Sequence, residues 1–300
     1  MKLILGTMTF GESVFRPDVD VFINAFLDAG YDELDTAYVY NDGNCEKFLG
    51  EVLPGLKRPF KICTKVNPRI TGKLDAEAAY MQLSTSLERL TLPSVDTVFL
   101  HFPDPATPVE SVLSAMAEMH NQGKFKELGL SNYPAWMVAE VWHICDQHGW
   151  VKPTVYEGVY NPLTRGAEQE LNDCLNHYGL RFYAYNPTMG GMLTGRYKSV
   201  DEAPTDGRFT HRPGYQGKYW MFFASTFWKK LQAKMEKVES PKRRKLQAFT
   251  VDSYKRLREL DTLPPSSSSV KRLARRILAR TGLRYSTILL TDLPSCVRGL

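Results

Sequence analysis

Three hundred residues, 43% hydrophobic and 12% aromatic, suffice for one large folded core. No apolar run approaches the roughly 18 residues of a membrane span, and the apolar start Met-Lys-Leu-Ile-Leu-Gly-Thr is too short for a signal peptide. Five cysteines, odd in number, scattered and without a Cys-x-x-Cys pair, argue against a disulfide framework or a zinc site and for reduced thiols in the cytoplasm.

The chain then alternates strand-like and helix-like patterns. Leu3–Met8 reads as the first strand. Pro17 opens a helix with Val21, Phe22, Ala25, Phe26 and Ala29 on one face, and Gly30 stops it. Glu33–Ala37 is the second strand, followed by a helix over Asn44–Val52. Phe60–Val66 is the third, followed by an amphipathic helix over Asp75–Leu90. Val95–His101 precedes a helix over Pro108–Gln122, and Glu127–Leu130 precedes one over Pro134–Gln147. Thr154–Gly158 precedes a helix over Ala167–His177, and Arg181–Tyr185 is the seventh strand. Phe222–Val238 is the expected seventh helix, and Thr287–Thr291 is the one apolar run that can serve as an eighth strand. Such alternation predicts an α/β fold, a (β/α)8 TIM barrel that is incomplete or irregular at its eighth unit. The absence of a G-x-G-x-x-G after the first strand counts against a Rossmann fold.

Charge divides the chain. Residues 229–300 hold 18 Lys+Arg against 6 Asp+Glu, whereas the whole chain is only +5. The expected division is a barrel over residues 1–228 and a divergent basic tail over 229–300, folded or partly disordered. The clusters Lys242–Lys245 and Lys271–Arg280 invite a nucleic-acid or membrane-surface reading. No recognised nucleic-acid module accompanies them, so a solvated or artefactual tail is the preferred account.

Asp35, Tyr40, Lys65 and His101 each sit at or just past the end of a strand-like run. The C-terminal strand ends of a barrel converge on one face, and that face carries the active site. A carboxylate, a phenol, an ammonium and an imidazole together suit proton transfer to a carbonyl oxygen. A free tyrosine has a pKa near 10; a neighbouring ammonium is expected to lower it and strengthen the acid. Any one of the four alone is more simply a structural residue. His120, His143, His148, His177 and His211 read as structural or surface residues, and Trp136, Trp142 and Trp150 as packing residues. No metal site is expected.

Six blocks carry a resemblance: Leu-Gly-Thr-Met-Thr-Phe-Gly (5–11), Asp-Thr-Ala-Tyr-Val-Tyr (35–40), Thr-Lys-Val-Asn-Pro (64–68), Phe-Leu-His-Phe-Pro-Asp (99–104), Gly-Leu-Ser-Asn-Tyr (129–133) and the run from Tyr185 to Tyr197. In order and spacing, residues 3–228 resemble the aldo-keto reductases, and within them the aflatoxin-aldehyde-reductase-like group. The resemblance implies NADPH-dependent reduction of an aldehyde or ketone. It makes Tyr40 the general acid, Lys65 its activator, Asp35 the partner of Lys65, and His101 the group that orients the substrate carbonyl. For NADP(H) it implies Asp35, Ser131, Asn132, Glu157, Tyr185, Asn186, Pro187, Gly190, Gly191, Leu193, Gly195, Arg196 and Arg208. Tyr219 is a candidate for lining the substrate pocket.

Two departures stand out. Glu157 occupies a position where the family usually has Gln; an ionised Glu only accepts hydrogen bonds. The Gly-x-Ser-x-x-x-x-Leu-x-x-Asn-like block expected after the eighth strand is not found, and from about Ser240 the sequence is unrelated. A genuine extension, a divergent variant and a gene-model error each account for this, the abrupt charge change favouring the last. Beside the reductase, two further readings stay open: a barrel that binds cofactor as a sensor, and a truncated, non-functional product. Substrate identity and oligomeric state are not legible.

Overall fold

A computed structural model of the chain describes residues 2–194 and 288–291. It divides into two units, one of Met1–Asp20, Tyr31–Pro187 and Ser286–Leu300, the other of Val21–Gly30 and Thr188–Tyr285.

In the first unit eight strands close into a barrel in chain order. They are β1 (Lys2–Gly6), β2 (Glu33–Asp35), β3 (Lys61–Val66), β4 (Val95–Leu100), β5 (Phe125–Ser131), β6 (Pro153–Val159), β7 (Arg181–Tyr185) and β8 (Ile288–Thr291). The first seven pair in parallel. β8 runs antiparallel to both neighbours, pairing Lys2 with Thr291 on one side and Tyr183 with Thr291 on the other. The expected irregularity is therefore one of direction, and the ring of backbone hydrogen bonds is complete. Closure removes the edges that an open sheet would expose.

Helix α1 (Asp18–Asp28) follows β1. α2 (Asn44–Val52) has the expected bounds. The turn α3 (Pro68–Thr71), not anticipated, is capped by Asn67, whose side chain accepts from Arg69 N. α4 (Ala76–Leu90) starts one residue late because Asp75 is its cap, accepting from Ala78 N. α5 (Val109–Asn121) and α6 (Ala135–His148) follow prolines. α7 (Leu171–Tyr178) begins after a short 3-10 turn at Gly166–Glu168 that the periodicity had merged with it. Trp136, expected to pack, is 61% exposed on α6. In the second unit, the 3-10 turns over Met189–Thr194 place Gly190 and Gly191 at φ 64° and 98°. The expected helix over Phe222–Val238, the basic clusters and most of the tail lie outside the described residues.

The strand period of two sets the lumen. Ile4, Cys63, Phe99, Val155 and Tyr183 form one buried cluster. Two residues further along, on the same strand faces, come Lys65, His101, Glu157 and Tyr185. A hydrophobic plug thus lies beneath a polar layer. At the opposite end Glu33 accepts from Lys2 Nζ at 2.8 Å and from Tyr183 Oη at 3.0 Å. The outer charges there pair off, as in Lys126–Asp96 and Arg181–Glu127, which reads as stabilisation of the barrel's base.

On β5 the plug requires a glycine, because a Cβ on Gly129 would lie 2.4 Å from Phe99 Cδ1. Gly129→Ala is expected to destabilise the barrel by about 1–3 kcal/mol through overpacking. Urea unfolding measures it; an unchanged midpoint would show that the Phe99 ring has room to move.

Candidate active site

Lys65 is the centre of the polar layer. It is 0% exposed, at the end of β3. Its ammonium donates to Asp35 Oδ1 in a short contact and to Thr36 O at 2.9 Å, and lies 3.3 Å from Glu157 Oε2. Burial pulls its pKa down, but Asp35 and then Glu157 outweigh that, and it stays protonated well above the usual lysine range. Asp35, from β2, also accepts from Cys63 Sγ at 3.3 Å, while Thr7 Oγ1 donates to its carbonyl at 2.8 Å.

Tyr40 stands above this cluster, with Lys65 Nζ 5.3 Å from its ring centroid. The chain turns sharply just after it: Asn41 and Asp42 both have left-handed backbone angles, at φ 53° and 52°, and Gly43 follows at 83°. Such angles are uncommon without glycine. Arg89 of α4 braces the segment. It donates to Tyr38 O at 3.3 Å, packs its guanidinium 4.2 Å from the Tyr38 ring centroid, and pairs with Glu46 Oε2 at 3.3 Å. Glu46 is itself fully buried and accepts from Thr64 Oγ1 at 2.6 Å. Gly43 serves a second purpose, since a Cβ there would meet Arg89 Cζ at 2.5 Å.

The expected downward pull of Lys65 on the Tyr40 phenol is present, but it does not prevail. Burial pushes the phenol up, Asp35 and Glu157 add to that, and the net shift is well above the ordinary value. The correction has a plain cause: burial disfavours the phenolate, and one ammonium faces two carboxyls. Tyr40 is therefore fully protonated throughout the physiological range.

His101 follows β4, its ring 6.1 Å from that of Tyr40 at 82° and stacked on Phe102 at 4.8 Å. Burial, Lys65 and Arg69 lower its pKa to about 3, so the ring is neutral. Its tautomer is fixed by Asn67. Arg69 N donates to Asn67 Oδ1 at 2.9 Å, which sets the amide orientation. The remaining Asn67 Nδ2 lies 3.2 Å from His101 Nδ1 and can only donate, so Nδ1 accepts and Nε2 carries the proton. Gln82 of α4 holds Asn67 by both backbone groups, at 2.8 and 3.1 Å.

The other strand ends complete the face. Ser131 ends β5 and registers with Glu157 on β6. Asn132, at φ 63°, donates to His101 O and Ser131 Oγ at 3.0 Å each, and accepts from Tyr185 Oη at 2.9 Å. Asn186 O accepts from Asn161 Nδ2 at 3.2 Å, and Pro187 ends the Tyr31–Pro187 segment of the first unit. Glu157 is buried, and its Oε2 makes no hydrogen bond despite its nearness to Lys65. The structure thus brings Asp35, Tyr40, Lys65, His101, Ser131, Asn132, Glu157 and Tyr185 to one face. Gly190, Gly191 and Leu193 belong to the second unit, and Gly195, Arg196, Arg208 and Tyr219 lie outside the described residues. Asn67, Gln82, Glu46 and Arg89 were not anticipated. Asn67 does lie within a motif block; the other three look in sequence like ordinary polar helix positions. Among the described residues no group of three or more His, Cys, Asp or Glu is placed to hold a metal ion, and no helix is long and apolar enough to cross a membrane.

The His101 geometry predicts a 15N NMR signature: a neutral ring protonated at Nε2 from neutral pH down to about pH 3. Titration near the ordinary 6.5 would contradict the buried placement.

Comparison with known sequences agrees with this architecture. The aldo/keto reductase family model matches residues 2–266. The chain is 46% identical over 225 residues to the human aldo-keto reductase family 7 member A3, covering 72% of this chain and 68% of that one. It is 47% identical over 225 residues to human aflatoxin B1 aldehyde reductase member 2, covering 72% of this chain but 63% of the relative, less than two thirds of its length. An aldo-keto reductase of Monascus ruber, pigE, is 32% identical over 218 residues, with 68% and 64% coverage.

Proposed function

The chain belongs to the aldo/keto reductase family, and from that premise we propose that it reduces aldehydes or ketones to alcohols with NADPH. Aldehydes are the favoured class, because several relatives are named aflatoxin B1 aldehyde reductases. The observation that carries the reading is the fully buried Lys65 ammonium, joined to Asp35 and set beside Tyr40 and His101. A structural lysine would keep its head in water, since burying it is costly without a partner.

The residues divide the work as follows. The Nε2–H of neutral His101 donates to the carbonyl oxygen and orients it. Tyr40, fully protonated, delivers its proton to that oxygen as negative charge develops there. Lys65 stabilises the phenolate that remains, and Asp35 keeps Lys65 charged and aimed. A nicotinamide, when bound, supplies the hydride, because no side chain here can. The donor set fits such a group: Glu157 Oε2 is a buried acceptor without a hydrogen bond, beside Ser131 and Asn132, and a carboxamide NH2 would satisfy it. Asp35, Ser131, Asn132, Glu157, Tyr185, Asn186 and Pro187 are the first-unit residues assigned to the cofactor. A reducing cytoplasm is the proposed compartment, in keeping with the free thiols Cys45, Cys63, Cys145 and Cys174.

The test is NADPH binding by nicotinamide fluorescence, followed by oxidation with 4-nitrobenzaldehyde. Tyr40→Phe is expected to bind NADPH normally and to lose about 10²–10⁴-fold in turnover. Binding without turnover in the wild type would favour a cofactor-sensing barrel instead.

A further inference from the structure

The polar layer holds two carboxyls where the proposed proton transfer uses one. Two carboxyls, Asp35 and Glu157, face the single ammonium of Lys65, and the three side chains are 2%, 4% and 0% exposed. With all three ionised the centre would carry a net negative charge in a site that excludes water. Like-charged carboxylates sharing a site do not both ionise readily, and a buried net charge is costly.

Geometry says which carboxyl gives way. Asp35 has the short contact from Lys65 and a thiol hydrogen bond from Cys63, both of which stabilise its anion. Glu157 has only the oblique approach of Lys65 to Oε2, which meets the distance but not the angle of a hydrogen bond. The other groups facing it are neutral acids or hydroxyls: Tyr40 above, Cys63 on β3, Ser131 across on β5 and Tyr183 across on β7.

We propose that Glu157 is a positioning residue that carries a proton in the working site while Asp35 stays paired with Lys65, and that release of this proton to water turns the centre from neutral to anionic and slows proton donation by Tyr40. Burial, then the charge of Asp35, push the Glu157 carboxyl up to about 8, against the pull of Lys65. Neutral Glu157 keeps an acceptor oxygen and gains a donor, so it offers what an amide offers in the same place. Ionised Glu157 divides the ammonium between two anions and pushes the Tyr40 phenol further up, since Glu157 is one of the charges acting on it. Tyr40's own titration lies far above this range, so an alkaline decline beginning near pH 8 belongs to Glu157.

The sign for stability follows. A carboxyl that holds its proton more tightly when folded costs stability as pH rises from its unfolded value, 4.5, to its folded one, about 8. Glu157→Gln removes that slope, so its advantage in thermal midpoint over the wild type grows across this window and is constant above it.

The primary test is an infrared pH titration of the full, cofactor-free chain, reading the C=O stretch of protonated carboxyls. The expected result is a band at neutral pH that disappears as pH passes about 8 and is missing from Glu157→Gln. Absence of the band at neutral pH overturns the proposal, and so does its survival in Glu157→Gln, which would assign it to another buried carboxyl such as Glu46. If Glu157→Gln does not fold, Asp35→Asn takes its place: without its anionic neighbour Glu157 ionises, and a band unchanged at neutral pH overturns the proposal.

The kinetic arm rests on the reductase reading. With NADPH and 4-nitrobenzaldehyde, wild-type kcat/KM is expected to fall about tenfold per pH unit above about 8, while Glu157→Gln stays level there. A level wild-type profile beside a titrating band overturns the coupling to Tyr40. No turnover at any pH removes the reductase reading and leaves the infrared result to decide the proton.

Discussion

A charged ammonium with no exposure to water is the constraint around which the polar end of this barrel is organised. Lys65 is held by Asp35, Thr36 O and the nearness of Glu157. Removing one partner from such a pair typically costs about 3–5 kcal/mol, because the other is left buried and uncompensated. A pair of that kind is weak evidence for stability in itself, since apolar replacements often do as well. Its value here is electrostatic. In a site shielded from solvent one ammonium acts strongly on a neighbouring phenol, and the phenol's behaviour then depends on how many anions compete for it.

That competition links strand geometry to chemistry. Alternation along β3 puts Cys63 in the plug and Lys65 in the layer above, and the same step on β6 separates Val155 from Glu157. Register, not sequence proximity, makes Glu157 a neighbour of Lys65. The loop bearing Tyr40 is positioned by different means. Three successive left-handed residues are held by the Glu46–Arg89 brace, so the phenol's place depends on helices α2 and α4 as much as on β2. His101 likewise depends on α4, through Gln82 and Asn67. The helix layer therefore positions Tyr40 and His101, two of the four residues proposed to react.

This division explains what could be read in advance. The strands and most helices were legible because alternation and helical spacing are local patterns, and Asp35, Tyr40, Lys65 and His101 were legible because each punctuates one. Gln82, Glu46 and Arg89 carry no such mark. On a helix a glutamine or an arginine looks the same whether solvated or aimed at a backbone carbonyl, and only the closed barrel decides. The sign of the Tyr40 shift failed for a related reason. The motif supplies the nearby cation, whereas what opposes it, burial and a second carboxyl brought in by β6, is tertiary.

The direction of β8 was beyond any sequence pattern, because a four-residue apolar run reads identically either way. Closing the ring needs only that the free N–H and C=O groups of β1 and β7 find partners, and an antiparallel strand supplies them as well as a parallel one. Reversal nevertheless changes the barrel's two faces. Thr291, the C-terminal residue of β8, lies level with Lys2 and Tyr183 rather than with Asp35 and Tyr185. The eighth strand thus runs toward the base, and its C-terminal end is not among the strand ends that carry the polar layer. The described polar face is built from strands two to seven, and Asp35, Lys65, His101, Ser131, Glu157 and Tyr185 lie within two residues of the C-terminal ends of those six. Closure and the polar centre are therefore separable in this barrel: the eighth strand seals the seam, while the charged centre is already complete among the other strands.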